Sequence, residues 1–158
     1  MKSEFRKLHQ SFRAAWCGIQ QVVRNERNFR IHITVMFYVL LFAWLGQVEN
    51  TQLAVLCACF GLVLSAELFN TAIELLCDRI STRYEQLLGK IKDVAAAGVL
   101  VCALTAAAAG LFIFLSAPVL TTILKTLYTV PWLTIAIICT IPCALLFIFY
   151  FGNIHSHR

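Results

Sequence analysis

Apolar positions along the chain fall into two kinds of pattern. In residues 1–30, Phe5, Leu8, Phe12, Trp16, Ile19 and Val23 recur at three- and four-residue steps, with Lys and Arg between them. On a helix this makes one apolar stripe beside a cationic face, the pattern of a helix lying in a membrane interface. As function, it suits either a simple anchor or a lid over a site at the membrane surface. Beyond residue 30 the pattern becomes long, nearly unbroken apolar runs: about Ile31 to Gly46, Leu53 to Cys77, Val94 to Leu115 and Trp132 to Phe151. A helix crosses a bilayer with about 20 mostly apolar residues, so four spans are predicted. The first run is a little short and recruits Phe29 or the Gln47 region. The second carries Glu67, Asn70 and Glu74 towards its end, so that end is expected to leave the hydrocarbon before the helix stops. Pro131 is placed to start the last helix and Pro142 to kink it. The predicted class is an all-α membrane protein: an amphipathic surface helix over 1–30, a three-helix transmembrane core over 31–115, and an extension over 116–158 with a fourth span.

Composition narrows the function classes. Of 158 residues, 60% are apolar and 13% charged, against about 45–50% and about 25% in soluble domains. So small a chain cannot hide that much apolar surface from water, which excludes a soluble enzyme, an extracellular domain and a disordered tail. It is also too short for a transporter with two large halves. The thirteen Lys and Arg alternate across the spans: seven before the first, none in 47–52, four in 78–92, one in 116–131 and one in the tail. By the positive-inside rule the protein is multi-pass with a cytoplasmic N-terminus. Its net charge of +5 then faces anionic lipid, and no nucleic-acid partner is expected. Residues 1–30 have no apolar signal-peptide core, so none is expected to be cleaved. The seven cysteines form no CxxC pair and no zinc-type cluster with histidine, so they are read as small packing residues.

The acids carry the chemistry. Glu67, Asn70, Glu74 and Asp78 stand at i, i+3, i+7 and i+11, one narrow stripe on a helix, with Thr71 beside it. A carboxylate inside a membrane costs a few kcal/mol, so it faces protein or water and usually has a task. Glu67 is the deepest and suits a general base. Glu74, about 10 Å nearer the cytoplasm at 1.5 Å per residue, suits a divalent cation at the water boundary. Asn70 can bond a ligand or orient either acid. The competing reading is structural: the stripe pairs across helices to specify an oligomer, and Asp78 pairs with Arg79 or Arg83. Lys92 and Asp93 stand at the entrance to the third span. There they suit phosphate and metal work, or a snorkelling lysine and a helix-start carboxylate. Glu26 adds an acid at the same boundary, as a second metal ligand or a plain surface charge. The chain has no Walker A loop, no GxGxxG and no Ser/His/Asp arrangement.

These residues carry a resemblance. Glu67-Leu-Phe-Asn70-Thr-Ala-Ile-Glu74-Leu-Leu-Cys-Asp78, Lys92-Asp93-Val-Ala-Ala-Ala and Asn25-Glu26-Arg27-Asn28-Phe29-Arg30-Ile31-His32 resemble, in order and spacing over about 3–115, the three motifs of the prokaryotic diacylglycerol kinase family, which includes undecaprenol kinases. The resemblance implies a small homotrimeric enzyme of the bacterial cytoplasmic membrane. It would transfer the γ-phosphoryl of Mg-ATP to a lipid hydroxyl. By position, Glu67 matches the catalytic base, and Glu26 and Glu74 the acids holding Mg2+ at the nucleotide. Lys92 and Asp93 match nucleotide contacts, as do Arg83, Tyr84 and Glu85 in a loop and Lys7 on the surface helix. Ala14 falls where other members place a nucleotide-contacting side chain. Asn70 and Asp78 match supporting polar positions. The lipid substrate would meet Glu67, Trp16, Arg30 and Ala96. The Asn28–His32 block leans towards undecaprenol as acceptor; diacylglycerol is the alternative. An inactive scaffold is disfavoured by the intact acids. A proton-coupled exporter using Glu67 is the reading from a different class, and it needs no acids at the rim. Residues 116–158 exceed the family's usual end and are expected to pack outside the core or beside one lipid portal.

Overall fold

The computed structural model describes residues 2–81 and 85–151. Among the described residues there are six α-helices and no strand: α1 Lys2–Asn25, α2 Arg27–Leu45, α3 Asn50–Ile80, α4 Gln86–Phe114, α5 Ala117–Thr129 and α6 Pro131–Tyr150. Helices α2, α3, α4 and α6 are long and apolar enough to cross a membrane. The protein is an all-α membrane protein.

Helices α3 and α4, of 31 and 29 residues, outrun the apolar stretches that announce them. Good helix formers such as Gln86, Leu87, Leu88 and Lys90 carry α4 on past its apolar part. Lys92 and Asp93 consequently lie two turns inside α4. The helix-start position expected for Asp93 belongs instead to Glu85, whose backbone is extended.

A second difference is α5. Residues 116–131 are expected as a connector, yet 13 of them form a helix. Pro118 stands in its first turn, where its missing N–H is no loss. Val119 and Ile123, one turn apart, are its buried residues. The segment is too short to span and rich in threonine, so its helical stripe of two is faint in the sequence. Helix α6 remains helical through Pro142.

Helices α3 and α4 form an antiparallel hairpin with the most extensive contact in the chain, and α2 lies against α3. Ala43, Leu56 and Ile113 are the buried centre of the apolar core, packed by Val39, Leu53, Phe60 and Phe114. A single residue in extended conformation, Glu26 (φ −101°, ψ 112°), separates α1 from α2 and turns the corner between them. The apolar stripe of α1 stays uncovered, with Phe5, Leu8, Phe12 and Trp16 all exposed.

The C-terminal extension packs along α2. Tyr38 and Thr140 share a hydroxyl hydrogen bond of 2.9 Å. Eight residues away on each helix, Arg30 Nε donates to the carbonyl of Ile148 at 3.0 Å. The two contacts fix α2 and α6 as an antiparallel pair in one register. At the other end of α2, a Cβ added to Gly46 would stand 2.8 Å from Val119 Cγ1 and 3.1 Å from Ile123 Cγ1. Gly46 thus lets α5 seat closely on the α2–α3 turn. Gly46→Ala is expected to destabilise the protein by about 1–3 kcal/mol through overpacking, read as an earlier unfolding midpoint in detergent titration.

Candidate functional site

The polar stripe of α3 is graded by depth, and the helix geometry sets the gradient. Glu67 is 3% exposed; Asn70 and Thr71 are also buried, Glu74 is half-buried and Asp78 is exposed. A buried carboxylate needs a partner, and Glu67 finds one on α2: His32 Nε2 lies 3.3 Å from Glu67 Oε1. One turn along, Asn70 Nδ2 donates to Glu74 Oε1 at 2.8 Å. The Asn70 Oδ1 acceptor is buried and receives no hydrogen bond among the described residues. An unmet buried acceptor costs about 1–3 kcal/mol, so this oxygen can take a donor such as a hydroxyl or a water.

The α1–α2 corner brings Glu26 to this stripe. Its carboxyl is held above the ordinary carboxylate range, first by burial and then by the negative charges of Glu74 and Glu67; Arg30 opposes the shift. Three carboxylates from two separate stretches therefore share one end of the helix bundle. The negative charge felt at Glu26 favours a proton or a cation there.

Among the described residues, no three His, Cys, Asp or Glu side chains gather tightly enough to cage a metal alone. Mg2+ does not require that: it takes one or two carboxylates and fills its octahedron with phosphate oxygens and water. The mutually repelling Glu26 and Glu74, with the Asn70 acceptor beside them, suit such a partly supplied ion.

The other expected residues are placed as follows. Lys92 Nζ pairs with Asp78, so the partner of Asp78 comes from α4 rather than from Arg79. Asp93, Glu85 and Ala96 are exposed along the first turns of α4. Arg83 and Tyr84 lie outside the described residues. Lys7 pairs with Glu4 at 2.9 Å, roughly 28 Å along α1 from Glu26 at 1.5 Å per residue. Within one chain it is not brought to the acids. Trp16 is exposed on the apolar face of α1. Arg30 is 4% exposed and turns back on the chain, donating from Nη1 to the carbonyls of Val23 and Arg24 at 2.9 Å each.

His32 stands within the Asn25–His32 motif, and the sequence alone gives it no role. The available signal is a lone imidazole in an apolar run, six residues after the boundary acid. It could not name Glu67 as the partner, because that contact joins two helices.

Below Glu67 an apolar groove of about 540 Å³ runs between α2, α3 and α4. His32, Val35, Phe60, Val63, Ala107 and Gly110 are among its walls. His32 therefore touches both the groove and the Glu67 carboxylate.

Comparison with known proteins gives the family. The profile of the prokaryotic diacylglycerol kinase family matches residues 13–114. The undecaprenol kinase of Bacillus subtilis is 34% identical over 114 residues, 72% of this chain and 93% of that protein. A diacylglycerol kinase of Synechocystis is 39% identical over 101 residues, 63% of this chain and 58% of its own length. The diacylglycerol kinase of Escherichia coli K12 is 33% identical over 93 residues, 58% of this chain and 75% of that protein. All the polar residues gathered at the acid end fall inside the matched region, and α5 and α6 fall outside it. The chain belongs to the prokaryotic diacylglycerol kinase family and is a lipid kinase.

Proposed function

We propose that this protein transfers the γ-phosphoryl group of Mg-ATP to the hydroxyl of a membrane lipid, with undecaprenol as the acceptor. The observation that carries this reading is a buried carboxylate at the polar end of an apolar groove, linked to it by His32. The groove takes the start of the lipid tail and delivers the hydroxyl to Glu67. The hydroxyl oxygen attacks the γ-phosphorus as its proton passes to Glu67, and the bond to the ADP oxygen breaks. His32 holds the Glu67 carboxylate in orientation. Phosphoryl transfer asks mainly for positioning and charge neutralisation.

Glu26 and Glu74 would hold Mg2+, which when bound neutralises phosphate charge. Asn70 keeps Glu74 in place through its 2.8 Å bond. Lys92, Asp93, Glu85, Arg83 and Tyr84 contact the nucleotide, and Asp78 steadies Lys92. Trp16 and Ala96 flank the lipid. Lys7 is too far along α1 to serve its own chain's acids, so it serves a neighbouring subunit of a homotrimer. The acid end faces the bacterial cytoplasm, where ATP is, and this sets a cytoplasmic N-terminus. A proton carrier would keep its acids near mid-membrane; here three carboxylates meet at one end of the bundle.

The acceptor reading leans on the Asn28–His32 block and on the undecaprenol kinase relative, which is covered over 93% of its length. The second reading, diacylglycerol, is favoured by the Synechocystis diacylglycerol kinase, which is 39% identical. Transfer of labelled phosphate by the purified protein to each lipid in mixed micelles separates them. At least about tenfold faster transfer to undecaprenol is expected, a discrimination of about 1.4 kcal/mol. The reverse preference would assign diacylglycerol. Glu74→Ala is expected to raise the magnesium needed for half-maximal rate severalfold, and a wild-type magnesium curve would remove it as a ligand.

A further inference from the structure

Helix α6 ends beside the corner that carries Glu26, and one side chain joins the two. Arg30 is buried and its guanidinium faces two helix C-termini at once. Nη1 donates to Val23 O and Arg24 O, in the last turn of α1. Nε donates to Ile148 O, in the last turn of α6. The final carbonyls of a helix have no partner within it and carry partial negative charge. A cation with several donors in a fixed plane satisfies both ends; a lysine, with one point of charge, could not span them in the same geometry. Glu26 lies between Arg24 and Arg30, as the one extended residue of the corner. The seam is completed by Tyr38 with Thr140 and by Gly46 with Val119 and Ile123.

We propose that Arg30 is a positioning residue that ties the C-terminal helix α6 to the α1–α2 corner, so that the extension holds the Glu26 carboxylate in place. The extension is then a working part of this enzyme rather than an appended anchor. The proposal rests on the reading of Glu26 as a magnesium ligand.

The test uses the 158-residue protein in detergent or nanodiscs, with Arg30→Gln, Arg30→Lys and Thr140→Val beside the wild type. Backbone hydrogen exchange is followed in 22–30 and in 144–151, together with the magnesium concentration for half-maximal rate and the rate at saturating magnesium. In Arg30→Gln both segments are expected to exchange at least about tenfold faster, together. The magnesium requirement should rise about fivefold or more. Arg30→Lys should recover part of the α1 protection and little at α6. Thr140→Val loosens the seam at a distance from the acids, so it should speed exchange at 144–151 and shift the magnesium requirement in the same direction by less. It also serves if the Arg30 variants do not fold.

Faster exchange in only one of the two segments of Arg30→Gln overturns the proposal. So does an unmoved magnesium requirement, provided Glu26→Gln measured alongside does shift it. If Glu26→Gln also leaves magnesium unmoved, the metal reading falls. The tie is then judged on exchange: joint loosening upholds it and loosening at one end overturns it.

Discussion

Glu67→Gln is expected to slow phosphoryl transfer by about two to four orders of magnitude, the usual worth of a general base, while the protein stays folded. The substitution keeps the volume and leaves an amide that can still meet His32. It removes only the capacity to take a proton. Heat or detergent unfolding should therefore change little, since no cavity forms and the buried polar group keeps its partner. Rates with saturating ATP and lipid, measured beside an unfolding curve, separate lost chemistry from lost structure. Turnover within about threefold of wild type would remove Glu67 as the base. His32→Ala should cost less, because the carboxylate remains and only its orientation is freed.

Glu26→Gln should act in opposite directions on function and on stability. Its carboxyl is held above the ordinary range by burial and by Glu74 and Glu67, so the folded protein without metal binds this proton more tightly than the unfolded chain does. Stability is then fully present below the unfolded value of about 4.5. It falls as pH rises from there through the raised folded value, and is constant above it. A glutamine carries no such loss. The metal-free variant should match wild type at low pH and become the more stable of the two as pH rises through that window. The magnesium required for half-maximal rate should meanwhile rise at least about tenfold, or about 1.4 kcal/mol of lost cation affinity. Melting in chelator across pH and magnesium titration of turnover are the two measurements. A variant less stable than wild type at neutral pH, with an unmoved magnesium curve, would contradict the pairing of Glu26 with Glu74.

Much of this was legible in the residues because membrane helices obey simple length and polarity rules. The four spans follow from apolar runs, and the graded exposure of Glu67, Asn70, Glu74 and Asp78 follows from helical spacing and distance from the charged boundary. What was not legible depends on contacts between elements. His32 meeting Glu67 joins α2 to α3, and Lys92 meeting Asp78 joins α4 to α3. Arg30 reaching Ile148 O joins positions 118 residues apart, and a backbone carbonyl leaves no trace in a side-chain pattern. Helix α5 was hidden for another reason: its buried face is two residues wide, and its threonines carry no clear periodicity. The placement of Asp93 failed because the helix begins before the hydrophobic run does.

The unequal lengths of the spanning helices bear on which membranes suit the enzyme. Helices α2 and α6, of 19 and 20 residues, extend about 30 Å at 1.5 Å per residue, which matches a typical hydrocarbon slab. Helices α3 and α4 run some 15 Å further by the same rise. Because the α2–α3 turn is short, the surplus forms a two-helix stalk at the acid end. Host lipids with longer acyl chains would climb that stalk and bring hydrophobic mismatch to Glu74 and Lys92. Turnover is expected to fall as the surrounding acyl chains lengthen.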